Sequence, residues 1–186
     1  MRPAPFSFET PIDLEIGSGV GWWALRYARQ NPNRYLIAIE KTREKFARFD
    51  QRVLAHTQIQ NLTAVNADAI AWITHCLGTQ KLSRVFILYP NPNPKNTAQR
   101  WIRMPFFGAL LERLKPGGEI FWATNISDYA EEIRQYSKSV WKLEPFLDRS
   151  FTQQTRPSDY PRTHFEKKYL LRGETCWELG YRKPCF

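Results

Sequence analysis

Residues 13–21, Asp-Leu-Glu-Ile-Gly-Ser-Gly-Val-Gly, constrain the fold more than any other stretch of the chain. An apolar run carries an acidic residue near its end, glycines follow at alternate positions, and residues 22–30 have a helical pattern. This is the strand–turn–helix corner of a nucleotide-binding α/β unit. Glycines there let the backbone approach a ligand and tolerate positive φ. The G-x-G-x-G spacing of Gly17, Gly19 and Gly21 is not the G-x-G-x-x-G of dinucleotide sites. Glu15, just before the glycines, would repel a pyrophosphate. It suits a ligand with an ammonium and a sulfonium, such as S-adenosylmethionine. A Gly-rich turn alone is equally a plain turn; Glu15 and the strand ends that follow favour the ligand.

Apolar runs and helical periods alternate along the chain. Strands are expected at 12–16, 34–40, 62–66, 84–89 and 119–123, and helices at 20–30, 42–56, 69–77, 101–114 and 127–138. Thr42 is available as a helix N-cap. Residues 90–96 read as a proline-broken loop and 115–118 as a turn. The tail offers extended segments near 141–146, 164–171 and 175–182, with 145–161 as a loop. Repeated β-then-α units imply an α/β fold, a doubly wound, mostly parallel Rossmann-like sheet, and the tail would append an antiparallel hairpin. At 186 residues the whole chain is expected to be a single domain.

No run reaches the roughly 18 to 20 apolar residues of a membrane span, and residues 1–10 lack the apolar core of a signal peptide. Cys76, Cys176 and Cys185 are scattered, and His56, His75 and His164 have no ligand spacing, so no metal is expected. Reduced thiols suit a cytoplasmic protein. The formal charge is +9, with 27 basic and 18 acidic residues. It is uneven: −2 over residues 1–21, +5 over 22–60, +1 over 61–133 and +5 over 134–186. An acidic corner between basic regions favours a polyanionic partner, and Trp22, Trp101 and Trp122 are candidates to stack on a base.

Ligands of such sheets bind at the carboxyl ends of the strands. That rule gathers Glu15 to Gly21, Glu40, Asp68, the loop 90–95 and Thr124-Asn125 into one site. Glu40 suits a ribose diol, because a carboxylate accepts two O–H donors; the alternative is a surface acid paired with Lys41 or Arg43. Asp68 suits the adenine amine and the Ala69 N–H a ring nitrogen; capping the next helix is compatible with both.

The pattern resembles the bacterial tRNA (guanine-N7-)-methyltransferase family. The likeness rests on E-I-G-S-G-V-G, I-A-I-E ending at Glu40, N-A-D-A at 66–69, Y-P-N-P-N-P-K at 89–95, L-K-P-G-G-E-I-F-W-A-T-N at 114–125 and R-T-H-F-E-K-K at 162–168. The resemblance implies an S-adenosylmethionine-dependent methyltransferase with tRNA or other structured RNA as partner, away from membranes, acting as a monomer or a homodimer. It implies that Glu15, Glu40, Asp68 and Asn91 line the cofactor pocket. Lys95, Asn125 and the segment of Thr163, His164, Phe165 and Glu166 would face the guanine nucleotide. Arg100 and Arg103, with Lys95, would meet phosphates.

The chain departs from the family at the active edge. Asn91 and Asn93 stand where the family's P-D-P-W loop has Asp and Trp, Asn125 replaces the Asp of A-T-D, and the N-terminal extension is short. Guanine N7 has a free lone pair, so its methylation needs alignment and no general base. Asn91, the candidate catalytic residue, retains an acceptor oxygen without the charge; the loss is worth about 2 to 4 kcal/mol of transition-state stabilisation. The other readings are a cofactor-binding but catalytically weakened RNA-binding protein or subunit, and a methyltransferase for another acceptor.

Overall fold

The computed structural model describes residues 10–185. The expectation for residues 1–10 therefore lies, but for Thr10, outside the described residues. The elements run β1 (Ile12–Ile16), α1 (Trp22–Gln30), β2 (Tyr35–Glu40), α2 (Arg43–Ala55), β3 (Leu62–Asn66), α3 (Ala69–Cys76) and β4 (Leu82–Leu88). After them come α4 (Phe106–Arg113), β5 (Leu114–Thr124), α5 (Ser127–Ser139), β6 (Glu144–Phe151), α6 (His164–Leu171) and β7 (Cys176–Arg182). One seven-stranded sheet has the order β3-β2-β1-β4-β5-β7-β6. The first five strands are parallel, and β7 pairs antiparallel with both β5 and β6. The expected doubly wound sheet with an antiparallel C-terminal end is the observed one.

Strand alternation explains the two-sided core. Leu14, Ile16, Ile39, Val85 and Ile87 face one side and pack with residues of α3, α4 and α5. Leu36, Ala38, Phe86 and Leu88 face the other, against Trp23, Leu25 and Ala28 of α1 and Phe49 of α2. Because both faces are covered, central strands such as β4 are almost wholly apolar. Strand order reverses between β1 and β4, which opens a crevice at their carboxyl ends.

The expectations differ from the structure in six places. Residues 164–171 form a helix and not a strand, because Thr163 accepts a hydrogen bond from the Glu166 N–H as its N-cap, while the Glu166 carboxylate accepts from the Arg162 N–H one residue earlier. Helix α4 starts only at Phe106, behind Pro105, which lacks the N–H and crowds the preceding turn. Residues 115–118 are a bulge inside β5, since Leu82 pairs with Leu114 while Arg84 pairs with Glu119. Residues 145–151 belong to β6 and not to a loop. Trp122 is fully buried against Phe107 and Tyr129, so it does not reach a ligand. Thr42 holds the N-cap position of α2 but makes no side-chain cap bond.

Gly21 fixes the turn between β1 and α1. Its φ is +76°, and a Cβ there would stand 1.9 Å from the Phe49 ring. Gly19, at φ +57°, faces open space. Urea unfolding of Gly21→Ala should show a loss of about 2 to 5 kcal/mol, the sum of left-handed strain and overpacking, against about 1 to 2 kcal/mol for Gly19→Ala.

Candidate active site at the strand ends

Two adjoining cavities occupy the crevice, sharing Gly17. The larger, about 490 Å³, is lined by Glu40, Asp68, Ala69, Asn91 and Trp101 among others. The smaller, about 130 Å³, is lined by Glu15, Gly17, Ser18, Gly19, Trp22, Lys45 and the segment Thr163, His164 and Phe165. The structure thus brings the glycine turn, the three strand-end acids, Asn91 and part of the T-H-F-E segment to one edge.

Glu15 is the electrostatic centre. It is buried, and its Oε2 has no hydrogen-bond partner. Burial, with the negative charge of Glu40 adding to it, pushes its carboxyl up to about 8. A buried acceptor without a donor is rare enough to point to a ligand group that supplies one. Glu40 is held by backbone: its Oε2 accepts from the Gly19 N–H at 2.8 Å and its Oε1 from the Thr42 N–H at 2.8 Å. Each carboxylate oxygen keeps a second acceptor site for a hydroxyl. Asp68 caps α3, accepting from the N–H groups of Ile70 and Ala71, and receives Lys41 Nζ at 2.9 Å. The Lys41 ammonium and these amides hold its carboxyl below the usual range. Lys41 therefore pairs with Asp68, not with Glu40.

Asn91 is exposed on the rim, but its Oδ1 accepts from the Asn93 N–H at 3.0 Å. This turn holds Asn93 at φ +44°, a conformation that Asn tolerates better than most residues. The Asn93 amide then donates to the Gln99 carbonyl, closing the loop.

Other expected ligand residues lie elsewhere. Glu166 is fully buried and lines neither cavity; it accepts from the Tyr89 hydroxyl at 2.7 Å, from Arg162 Nη2 at 3.0 Å and from the Arg162 N–H. Asn125 is half-buried and donates to Glu174 Oε2 at 2.7 Å. Lys95 is exposed, outside both cavities. Arg100 and Arg103 correct the expectation of phosphate contacts: both are bound to Glu132, and Arg100 Nε also donates to the Pro92 carbonyl at 2.6 Å. They anchor the proline loop from behind.

The reading from sequence missed the network behind the T-H-F-E segment. Arg162 bridges Glu166 and Glu178, and Arg149 and Tyr160 also bond Glu178. Burial alone would raise Glu178, but Arg162, Tyr160 and Arg149 hold it below the usual carboxylate range. No sequence spacing links Tyr89 to Glu166; only the N-cap residue Thr163 could have shown that this segment is helical. Among the described residues no group of His, Cys, Asp or Glu could hold a metal ion, and no helix is long and apolar enough to cross a membrane.

The residues fit S-adenosylmethionine. The partnerless Glu15 carboxyl offers an acceptor to an ammonium, the strand-end acids offer acceptors to hydroxyl and amine groups, and Gly17 and Gly19 leave space that a Cβ would take. The neutral form of Glu15 is the one favoured by the ligand-free fold. Its stabilising effect is full below the ordinary value of 4.5 and is lost as pH rises toward 8. Glu15→Gln should therefore melt higher than the ligand-free wild type at pH 8, with little difference at pH 4, while calorimetry shows cofactor affinity reduced at least about tenfold.

Comparison with known proteins gives the family and supports the fold. The family described as "Putative methyltransferase" matches residues 9–179. The tRNA (guanine-N(7)-)-methyltransferase of Nitrosospira multiformis is 34% identical over 96% of this chain and 77% of its own length. Those of Nitrosomonas europaea, 32% identical over 96% and 79%, and of Myxococcus xanthus, 31% over 97% and 87%, are similar. Among solved structures, the 16S rRNA methyltransferase KamB has a TM-score of 0.68 at 16% identity, covering 94% of this chain and 88% of its own, which supports the fold. S-adenosylmethionine is the methyl donor of this class, and the chain belongs to the tRNA (guanine-N7-)-methyltransferase family.

Proposed function

We propose that the chain methylates N7 of a guanine in tRNA. The observation that carries this is the Glu15 carboxyl, without a donor, in a cavity that Thr163, His164 and Phe165 also line. Glu15 suits the charged end of the cofactor, and the Thr163–Phe165 lining is left for an acceptor. S-adenosylmethionine supplies an electrophilic methyl group on a sulfonium. Glu15 holds its ammonium, Glu40 its ribose hydroxyls, and Asp68 with the Ala69 N–H its adenine edge. The protein's task is alignment, since N7 presents its lone pair without losing a proton. Exposed His164 and Phe165 flank the base, and Lys95 meets a phosphate beside it.

Glu166 and Asn125 act from behind. Glu166 ties the Tyr89 end of β4 to the start of α6 and so sets where Thr163 and Phe165 stand. Asn91 shapes the proline loop through its bond to Asn93. It gives the positive charge developing on the purine no full counter-charge, so the site works below its electrostatic capacity. The work falls to one domain, and the free thiols of Cys76, Cys176 and Cys185 suit a cytoplasmic setting.

Incubation with unmodified bulk tRNA and labelled donor, followed by nucleoside analysis, should yield 7-methylguanosine. Label on another base would point to a different acceptor, and tight tRNA binding without label to a weakened RNA-binding protein. Asn91→Asp keeps the acceptor for the Asn93 N–H and adds the charge; single-turnover rates should rise about tenfold or more. A rate unchanged or lower would show that the charge at this position is not what limits transfer.

A further inference from the structure

A second groove opens beside the reacting edge. It encloses about 600 Å³ and is lined by Val20, Trp22, Thr42, Glu44, Lys45, Arg48, Arg52 and His164. Val20, Trp22, Lys45 and His164 also line the Glu15 cavity, so the groove is continuous with the site. Lys45, Arg48 and Arg52 recur at helical spacing on one exposed face of α2. Glu44 offsets part of this charge through its 2.9 Å pair with Arg48. Lys45 and Arg52 have no acidic partner among the described residues, although their neighbour Lys41 does. Trp22 is 42% exposed at the first position of α1, with the His164 ring 6.2 Å away at a tilt of 58°. This leaves an aromatic face open to a stacking partner beside the cations of α2.

We propose that this groove holds the ribose-phosphate chain next to the acceptor nucleotide, with a neighbouring base stacked on Trp22. The proposal rests on the tRNA reading of the adjoining site. Cations spaced along one helix face match the repeat of a phosphate backbone, and an aromatic face among them matches a base rather than an acidic peptide. A guanine that must reach the Glu15 cavity has to leave its stack, which frees the adjoining base to find a new partner. Trp22, at the lip shared by cavity and groove, is that partner. Lys45 and Arg52 take the phosphates, and Arg48 joins them by giving up Glu44.

Arg48 and Arg52 line the groove and not the Glu15 cavity, so their removal leaves the cofactor site intact. Binding of unmodified bulk tRNA is measured from 50 to 200 mM salt, with S-adenosylhomocysteine affinity and thermal melting as controls. The double variant Arg48→Gln/Arg52→Gln should bind tRNA at least about tenfold more weakly at low salt, with a salt slope lower by about 1.5, and bind S-adenosylhomocysteine like the wild type. Trp22→Ala should lose about tenfold, and Trp22→Phe should recover most of it. An unchanged slope and affinity in the double variant overturns the phosphate track. Equal binding by Trp22→Ala and wild type overturns the stacking. Methyl transfer is scored separately: groove-dependent binding with no 7-methylguanosine would overturn the catalytic reading and leave the groove standing. Transfer by the wild type with unaltered binding by the groove variants would do the reverse. Absence of tRNA binding by the wild type would overturn both.

Discussion

A buried carboxyl group that no donor of the fold meets organises this molecule. Glu15 sits at the end of a central strand, with the charge of Glu40 near by and one oxygen unanswered. Folding alone gains nothing from an acid in such a position, since burial disfavours its charged form. A cationic ligand reverses that balance. The glycine turn, the acids at the end of β2 and the start of α3, and the reversal of strand order beside β1 surround the crevice on which this carboxyl opens.

The basic composition is used in two distinct ways. Arg100, Arg103, Arg149 and Arg162 are bound inward, to Glu132, Glu166 and Glu178, and act as struts under the proline loop and the start of α6. Guanidinium groups suit this role because they bridge several acceptors in fixed geometry. Lys45, Lys95 and Arg52 are exposed and available. Net charge counts the two sets alike, so a positive total overstates the cationic surface that a polyanion meets.

The sheet was legible because its signals are local. Apolar runs of strand length, a glycine turn and a helical period fix β1, α1 and β2 from adjacent residues, and the strand-end rule then collects Glu15, Glu40, Asp68 and Asn91 on one edge. The tail was less legible. Residues 164–171 have an amphipathic mix that fits either period, and the capping hydrogen bond at Thr163 decides for helix. The roles of Glu166 and Arg100 were hidden for a different reason. Their partners, Tyr89 and Glu132, lie 77 and 32 residues away, and only the assembled fold brings them together. Asn91 lines the larger cavity, but its oxygen turns to Asn93, a detail of one loop that composition does not carry.

The position of α6 has a further consequence. It lies in the connection between β6 and β7, the antiparallel pair at one border of the sheet, while Glu15, Glu40 and Asp68 all come from the first three β–α units. The cavity beside Glu15 is therefore closed by two parts of the chain far apart in sequence, and a shift of this connection would reshape its Thr163–Phe165 lining while leaving the acids where the parallel strands put them.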